Sequence, residues 1–372
     1  MLKISDHLCF SNNNLVIEIG RREISLADIL KLKSKPIQLH KAIVQPEFAS
    51  KTVLVSDPWE YVEMWLKRNC KNNEALFYWQ QAQEFFNASR LLPLTSSPLT
   101  SYYCFLNCVK TLLIVKNIGF IEQHGVSGYT IQNTFSLSGE MVKFKGAGIL
   151  ASLCTYLDEY PSQVAEYSLR SIFYNLPYIH RAYTLTFISA AELFIPISNA
   201  LFMFDRVRKE SWLVADIDKR YQNQHTINKL PNGYKQDTLN PNEWKIRRNK
   251  KFKWDLKKDG ETVAMNNLKD YHRKVRKDFY YISGRTRLWY IKRKSNAQSI
   301  IQRSTLTLTF AAMHRLSELS RYQPLRLSKH LNNQYNWLLS EFIRFAPYQF
   351  IDEISSEITG LEFMIPGIAT RE

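Results

Sequence analysis

Residues 72–128 constrain the fold of this chain more than any other stretch. Leu76, Trp79, Ala82 and Phe86, with Phe85 beside them, recur at three- and four-residue intervals, the period of a helix and not of a strand. Pro93 stops that pattern. Ser97 followed by Pro98 predicts the start of a second helix, with the hydroxyl as N-cap and the proline at the first position, where its missing N–H is not needed. Leu99, Tyr102, Leu106, Val109 and Leu113 then share one face, and Cys104, Phe105, Cys108 and Leu112 widen it. So wide an apolar face is expected to be buried on more than one side. Gly119 is the expected stop.

The run WQQAQEFF, LPLTSSPLTSYYCFLN and the following His124-Gly125 resembles the YaaC-like family of bacterial proteins. LSELSRYQPLRLSKHL and FAPYQFIDEI near the C-terminus agree with it, as does DPWEYVEMWL upstream. The resemblance spans most of the chain, its middle excepted, and implies a fold and little chemistry. The hairpin followed by His-Gly is also similar, in pattern alone, to the helical HEPN domains. Many of those are ribonucleases, or partners of nucleotidyltransferases in toxin and phage-defence systems, so that similarity implies a nuclease or a defence component.

Around the hairpin, residues 1–55 read as a small β-containing element, with strands at 14–19 and 51–55 and a helical turn at 25–30. Asp57, Pro58 and Glu60 make a capping-box pattern for a helix carrying Trp59, Val62, Trp65 and Leu66. A helix is expected over 162–176. Strand character follows at 184–188, 193–197, 201–205 and 211–216, then around Trp244, Phe252, Phe279 and Trp289. Helical periodicity returns near residue 297, breaks at Pro324, and gives two further helices over 331–345 and 348–358. The expected organisation is an N-terminal element at 1–55, a helical core at 56–185, a basic β-rich insertion at 186–295, and C-terminal helices at 296–372 packing back on the core. The expected class is α+β, with a predominantly helical core bundle, a basic β-rich insertion and a small N-terminal β element.

The net charge of +16 is concentrated. Residues 245–294 hold eighteen Lys and Arg against five Asp and Glu, a field that draws polyanions. The five cysteines, Cys9, Cys70, Cys104, Cys108 and Cys154, lack zinc spacing and read as free thiols of a reducing cytoplasm. No metal and no cofactor is expected. The beginning of the chain does not read as a signal peptide, and no run approaches eighteen apolar residues, so no membrane partner is expected either.

Several constellations bear on chemistry. Arg220 and His225 stand five apart, within the Arg-to-His spacing of HEPN ribonucleases, although they follow strand-like text. His124 sits in a loop where an imidazole could act as acid or base, or simply cap the preceding helix. Arg321, Tyr322 and Arg326 stand at a helix break and suit either a phosphate fork or pairing with Glu318; His330 would share the face of Arg326. Asp216, Asp218, Glu243 and Lys245 resemble in outline the carboxylates and lysine of metal-dependent nucleases. The largest signal is the interleaving of cations and aromatics: Arg247, Arg248, Lys250, Lys251 and Lys253 with Trp254; Arg273, Lys274, Arg276 and Lys277 before Phe279; Arg285, Arg287, Lys292, Arg293 and Lys294 flanking Trp289 and Tyr290. Cations neutralise phosphates and exposed aromatic faces stack bases, but period-two alternation would instead bury the aromatics in a sheet. The leading expectation is a cytoplasmic binder of RNA or DNA. A nuclease, and a module binding an acidic protein or a second copy of itself, are the alternatives.

Overall fold

The computed structural model describes residues 27–159, 165–237, 243–284, 288–294 and 300–364. The expected strand at 14–19, Cys9, Arg285 and Arg287 lie outside them. The described chain opens with β1 (Ala27–Ile29), β2 (Lys31–Leu32), β3 (Lys35–Pro36) and β4 (Val53–Leu54). Three helices follow: α1 (Pro58–Asn69), α2 (Asn73–Leu91) and α3 (Ser97–Val115). Next come β5 (Val126–Thr130), β6 (Glu140–Phe144), α4 (Ile149–Tyr156), β7 (Glu166–Ser168), α5 (Leu169–Tyr174) and α6 (His180–Thr186). The central part holds β8 (Phe194–Asp205), β9 (Glu210–Ile217), α7 (Gln224–Asn228), β10 (Tyr234–Gln236), β11 (Lys245–Arg248), β12 (Phe252–Lys253), α8 (Gly260–Val275), β13 (Phe279–Ile282) and β14 (Leu288–Lys292). The chain closes with α9 (Thr305–Tyr322), α10 (Pro324–Leu331), α11 (Asn336–Thr359) and β15 (Phe363–Met364).

The helical hairpin forms as its periodicity requires. Asp57 caps α1 by accepting from the Trp59 N–H at 2.8 Å, and the Trp79 indole of α2 donates to the Trp59 carbonyl at 3.0 Å. Phe105 of α3 stacks on Phe350 of α11 at 4.0 Å between centroids, so α3 is enclosed by α2, α9 and α11. α3 ends before Gly119, because Asn117 takes the left-handed conformation (φ 55°) that a short polar side chain tolerates. Among the described residues α3 is the one helix long and apolar enough to cross a membrane, and most of it is buried in the core.

The fold is not the predominantly helical bundle expected. An eight-stranded antiparallel sheet in the order β10-β11-β9-β8-β14-β13, with β1 on β8 and β12 on β9, makes a second layer with its own core. Phe202, Leu213, Ile246, Trp254 and Ile291 lie in that core, and α8 covers it with Ala264, Leu268, Tyr271 and Val275. The described part of the N-terminal segment joins this sheet. Leu30 donates to the Phe202 carbonyl at 2.7 Å and Leu39 to the Ala200 carbonyl at 3.1 Å, so residues 27–39 extend this sheet. The turn expected at 25–30 is therefore strand from Ala27, because β8 offers it a free edge.

Other departures have similar causes. Residues 184–186 belong to α6, not to a strand, since Ala182 and Tyr183 pack into the helical core. Residues 166–168 form a strand that completes a sheet with β5 and β6, and the helix begins at Leu169, with Ser168 as its cap. α8 occupies text expected to be β-rich. α11 runs unbroken through Pro347, because burial of Phe342, Phe350 and Ile354 outweighs a proline cost of roughly 3 kcal/mol.

The layers are joined by buried polar contacts. Lys41 reaches Asp352 of α11, and the Tyr281 hydroxyl of β13 donates to the same carboxylate at 2.8 Å. The Glu357 carboxylate accepts from the Ile43 N–H and, at 2.8 Å, from the Tyr156 hydroxyl.

Candidate anion-binding cavity

The basic segment does not present its aromatics to solvent. Trp254 is 3% exposed and packs edge-on to Phe252, while Phe279, Tyr281 and Trp289 fill the sheet core. Alternation in β12, β13 and β14 turns these rings inward, so the expected stacking role of Trp254 has no face to act through. Several cations are likewise engaged. Arg247 lies over the Trp212 ring and pairs with Asp237 at 3.7 Å. Lys251 and Lys253 both reach Glu210, and Arg273 pairs with Asp270. Arg276 is buried between the Tyr281 and Trp289 rings and donates to the carbonyls of Lys41 and Phe279.

Several of the other cations line a cavity of about 850 Å³ between the two layers. That volume suits a small ligand or a segment of a strand. Nine Lys and Arg side chains and three carboxylates line it. Two of the carboxylates are occupied: Asp158 accepts from Lys277 at 2.8 Å and Glu159 from Arg303 at 3.4 Å. Among the described residues Lys250, Lys274, Arg293 and Lys294 have no carboxylate partner. Arg248 lies over Tyr271 and donates to its carbonyl at 3.3 Å. The Nε groups of Arg276, Arg293 and Arg303 are buried without a hydrogen-bond partner. A buried donor left unmade costs about 1–3 kcal/mol, so the lining calls for acceptors.

Lys292, the last residue of β14, reads in sequence as one of the cations flanking Trp289 and Tyr290, and the structure buries it. It is almost fully buried, donates to the Ile301 carbonyl at 2.6 Å, and sits 5.4 Å above the Tyr280 ring. Burial depresses its pKa to about 7, against a smaller opposing pull from Asp278. Its charge and its place beside the aromatics of β14 are legible in the sequence; its burial is set by tertiary packing.

The other candidates fall elsewhere. Arg220 is exposed on a single turn (Lys219–Tyr221) and pairs with Asp218, while His225 is exposed on α7; neither lies on a helix of the core. Lys245 bridges Asp216 and Glu243 across β9 and β11. Among the described residues no three His, Cys, Asp or Glu side chains form a metal-sized group. Arg321 lies over Tyr322. Arg326 is spent on structure: its Nε donates to Glu140 at 2.5 Å and its Nη2 to the Thr134 carbonyl at 2.6 Å. Arg315 and His330 meet the same fully buried Glu140. Burial alone would raise the Glu140 pKa, but hydrogen bonds from His330, Arg315 and Arg326 outweigh it and bring it to about 2.

His124 joins a second group that sequence spacing did not reveal. Its Nδ1 lies 2.6 Å from the Tyr102 hydroxyl, and the His314 ring stands 5.5 Å away. Burial lowers the pKa of His124, with Glu318 pulling the other way, and takes that of His314 to about 3. Tyr102, His124 and His314 come from α3, the following loop and α9, so only tertiary packing assembles them.

The fold and cavity define a two-layer α+β protein with a cation-lined cleft between its layers. The chain belongs to the YaaC-like family, whose model matches residues 40–358. No curated protein and no solved structure matches it.

Proposed function

We propose that this protein binds single-stranded nucleic acid, RNA or DNA, through its phosphates, with the strand passing over the mouth of the basic cavity. The carrying observation is the set of cations there without carboxylate partners: Lys250, Lys274, Arg293 and Lys294. Cations released from internal pairing are the ones that exchange counterions for phosphates. The inward-facing aromatics argue for backbone contacts and against stacking, hence for binding with little base preference.

Fluorescence anisotropy of labelled single strands, with the Lys250→Glu, Lys274→Glu, Lys294→Glu triple variant beside wild type, tests this reading. Wild type binds at about 50 mM salt and the variant loses most of its affinity with its melting temperature unchanged, since exposed charges contribute less than about 1 kcal/mol each. Absence of wild-type binding, or equal binding by the variant, turns the reading towards an acidic protein partner.

A further inference from the structure

We propose that the cavity holds a receptor site for a phosphoryl dianion, with the Lys292 amine and the Arg293 guanidinium as its innermost ligands and Lys250 and Lys294 at its mouth. This rests on the nucleic-acid reading only for the source of the anion, which is either the terminal phosphate of a strand or a free phosphorylated compound.

The geometry comes first. An ammonium has three donors, and Lys292 has one acceptor, the Ile301 carbonyl. Lys292 has no carboxylate within ion-pairing distance among the described residues, which is unusual for so buried a lysine. The neighbouring Arg293 holds a buried Nε with no acceptor, and its guanidinium lies 5.8 Å from the Tyr221 ring. Both line the same cavity. A tetrahedral dianion supplies several acceptor oxygens and two negative charges to a lining short of both.

The surrounding charges decide how Lys292 responds. Asp278, at the turn before β13, favours its charged form. Tyr280 on β13 presents a ring face, and its hydroxyl donates to the Lys277 carbonyl. From the helical layer Glu159 is held by Arg303 and the Ser304 N–H, and Asp158 by Lys277. Arg293 and Lys294 follow the end of the strand, and Arg276, Arg248 and Lys250 line the same cavity. Positive groups thus outnumber free negative ones, and burial holds the Lys292 amine near half-protonation at neutral pH. A bound dianion favours the ammonium, so binding takes up about half a proton at pH 7, close to one at pH 8 and little near pH 6, where Lys292 is mostly charged.

The test uses sulfate, which stays dianionic over this range, and single strands with and without a terminal phosphate. Calorimetry in buffers of different ionisation enthalpy should show uptake approaching one proton per sulfate at pH 8, with affinity falling about tenfold from pH 6 to 8. Lys292→Met should remove both the uptake and the pH dependence. A terminal phosphate should tighten strand binding about tenfold in wild type and not at all in Lys292→Met. Sulfate binding without proton uptake, or no sulfate binding with no preference for a terminal phosphate, overturns the proposal even if strands bind. The wild-type profiles decide this should Lys292→Met fail to fold. Proton-linked sulfate binding in a protein that binds no strand sustains the cavity site, removes the nucleic-acid reading, and identifies the source as a free phosphorylated compound.

Discussion

Lys41 and Asp352 meet at 2.9 Å through both carboxylate oxygens, 311 residues apart in sequence, with both side chains almost fully buried. Lys41 follows the segment that extends the sheet and Asp352 lies in the last long helix, so the pair ties the layers that enclose the cavity. Removing one partner of a buried pair leaves the other charge uncompensated. Asp352→Asn is expected to destabilise the protein by about 3–5 kcal/mol in urea unfolding. The Lys41→Met, Asp352→Leu double variant should recover most of that loss, because two apolar side chains leave no orphaned charge. A loss below about 1 kcal/mol for Asp352→Asn would show that the pair does not join the layers.

Trp254 is predicted to be a residue of the sheet core. Trp254→Ala should cost about 3–5 kcal/mol, from lost burial and the space left beside Phe252. Unchanged stability with weakened binding to single strands would restore a stacking role.

The hairpin was legible because a helix writes its buried face into sequence at a fixed period, and Leu106 and Val109 needed no partner to declare it. The sheet was legible as strands but not as a layer. Nothing local in Ala27–Ile29 says that it pairs with Met203–Asp205, nor that α8 will cover Leu268 and Tyr271 against the sheet. The basic segment was legible as charge. Which cations stay unpaired was not, because the partners of Lys251, Lys277 and Arg303 are set by tertiary packing: Glu210, Asp158 and Glu159. Lys292 reads in sequence as one more cation of that segment for the same reason, since burial, not residue type, makes it unusual.

Stability should depend on pH through Glu353. Burial raises its pKa to about 8, with Gln349 and Arg276 opposing. A carboxyl whose folded pKa exceeds its unfolded value stabilises the fold below about pH 4.5, and that contribution is lost as pH rises to about 8. Glu353→Gln should therefore flatten the stability profile between pH 5 and 8 relative to wild type. Identical slopes would mean that Glu353 is ionised in the folded protein.

Glu140 acts in the opposite direction. Its pKa of about 2 lies below the unfolded value, so its contribution is present above about pH 4.5 and is lost as pH falls towards 2. Glu140→Gln should lower stability at pH 7 and narrow the gap from wild type as pH falls through that window, read by thermal melting. A gap independent of pH would assign the loss to packing.

The slope of strand affinity against salt tests the central claim most directly. Each phosphate contact on a single strand contributes about 0.7 to the slope of log affinity against log salt. The account predicts a steep negative slope for wild type and one shallower by about 2 for the Lys250→Glu, Lys274→Glu, Lys294→Glu variant, corresponding to three lost contacts. A wild-type affinity indifferent to salt, or equal slopes for the two proteins, would contradict it.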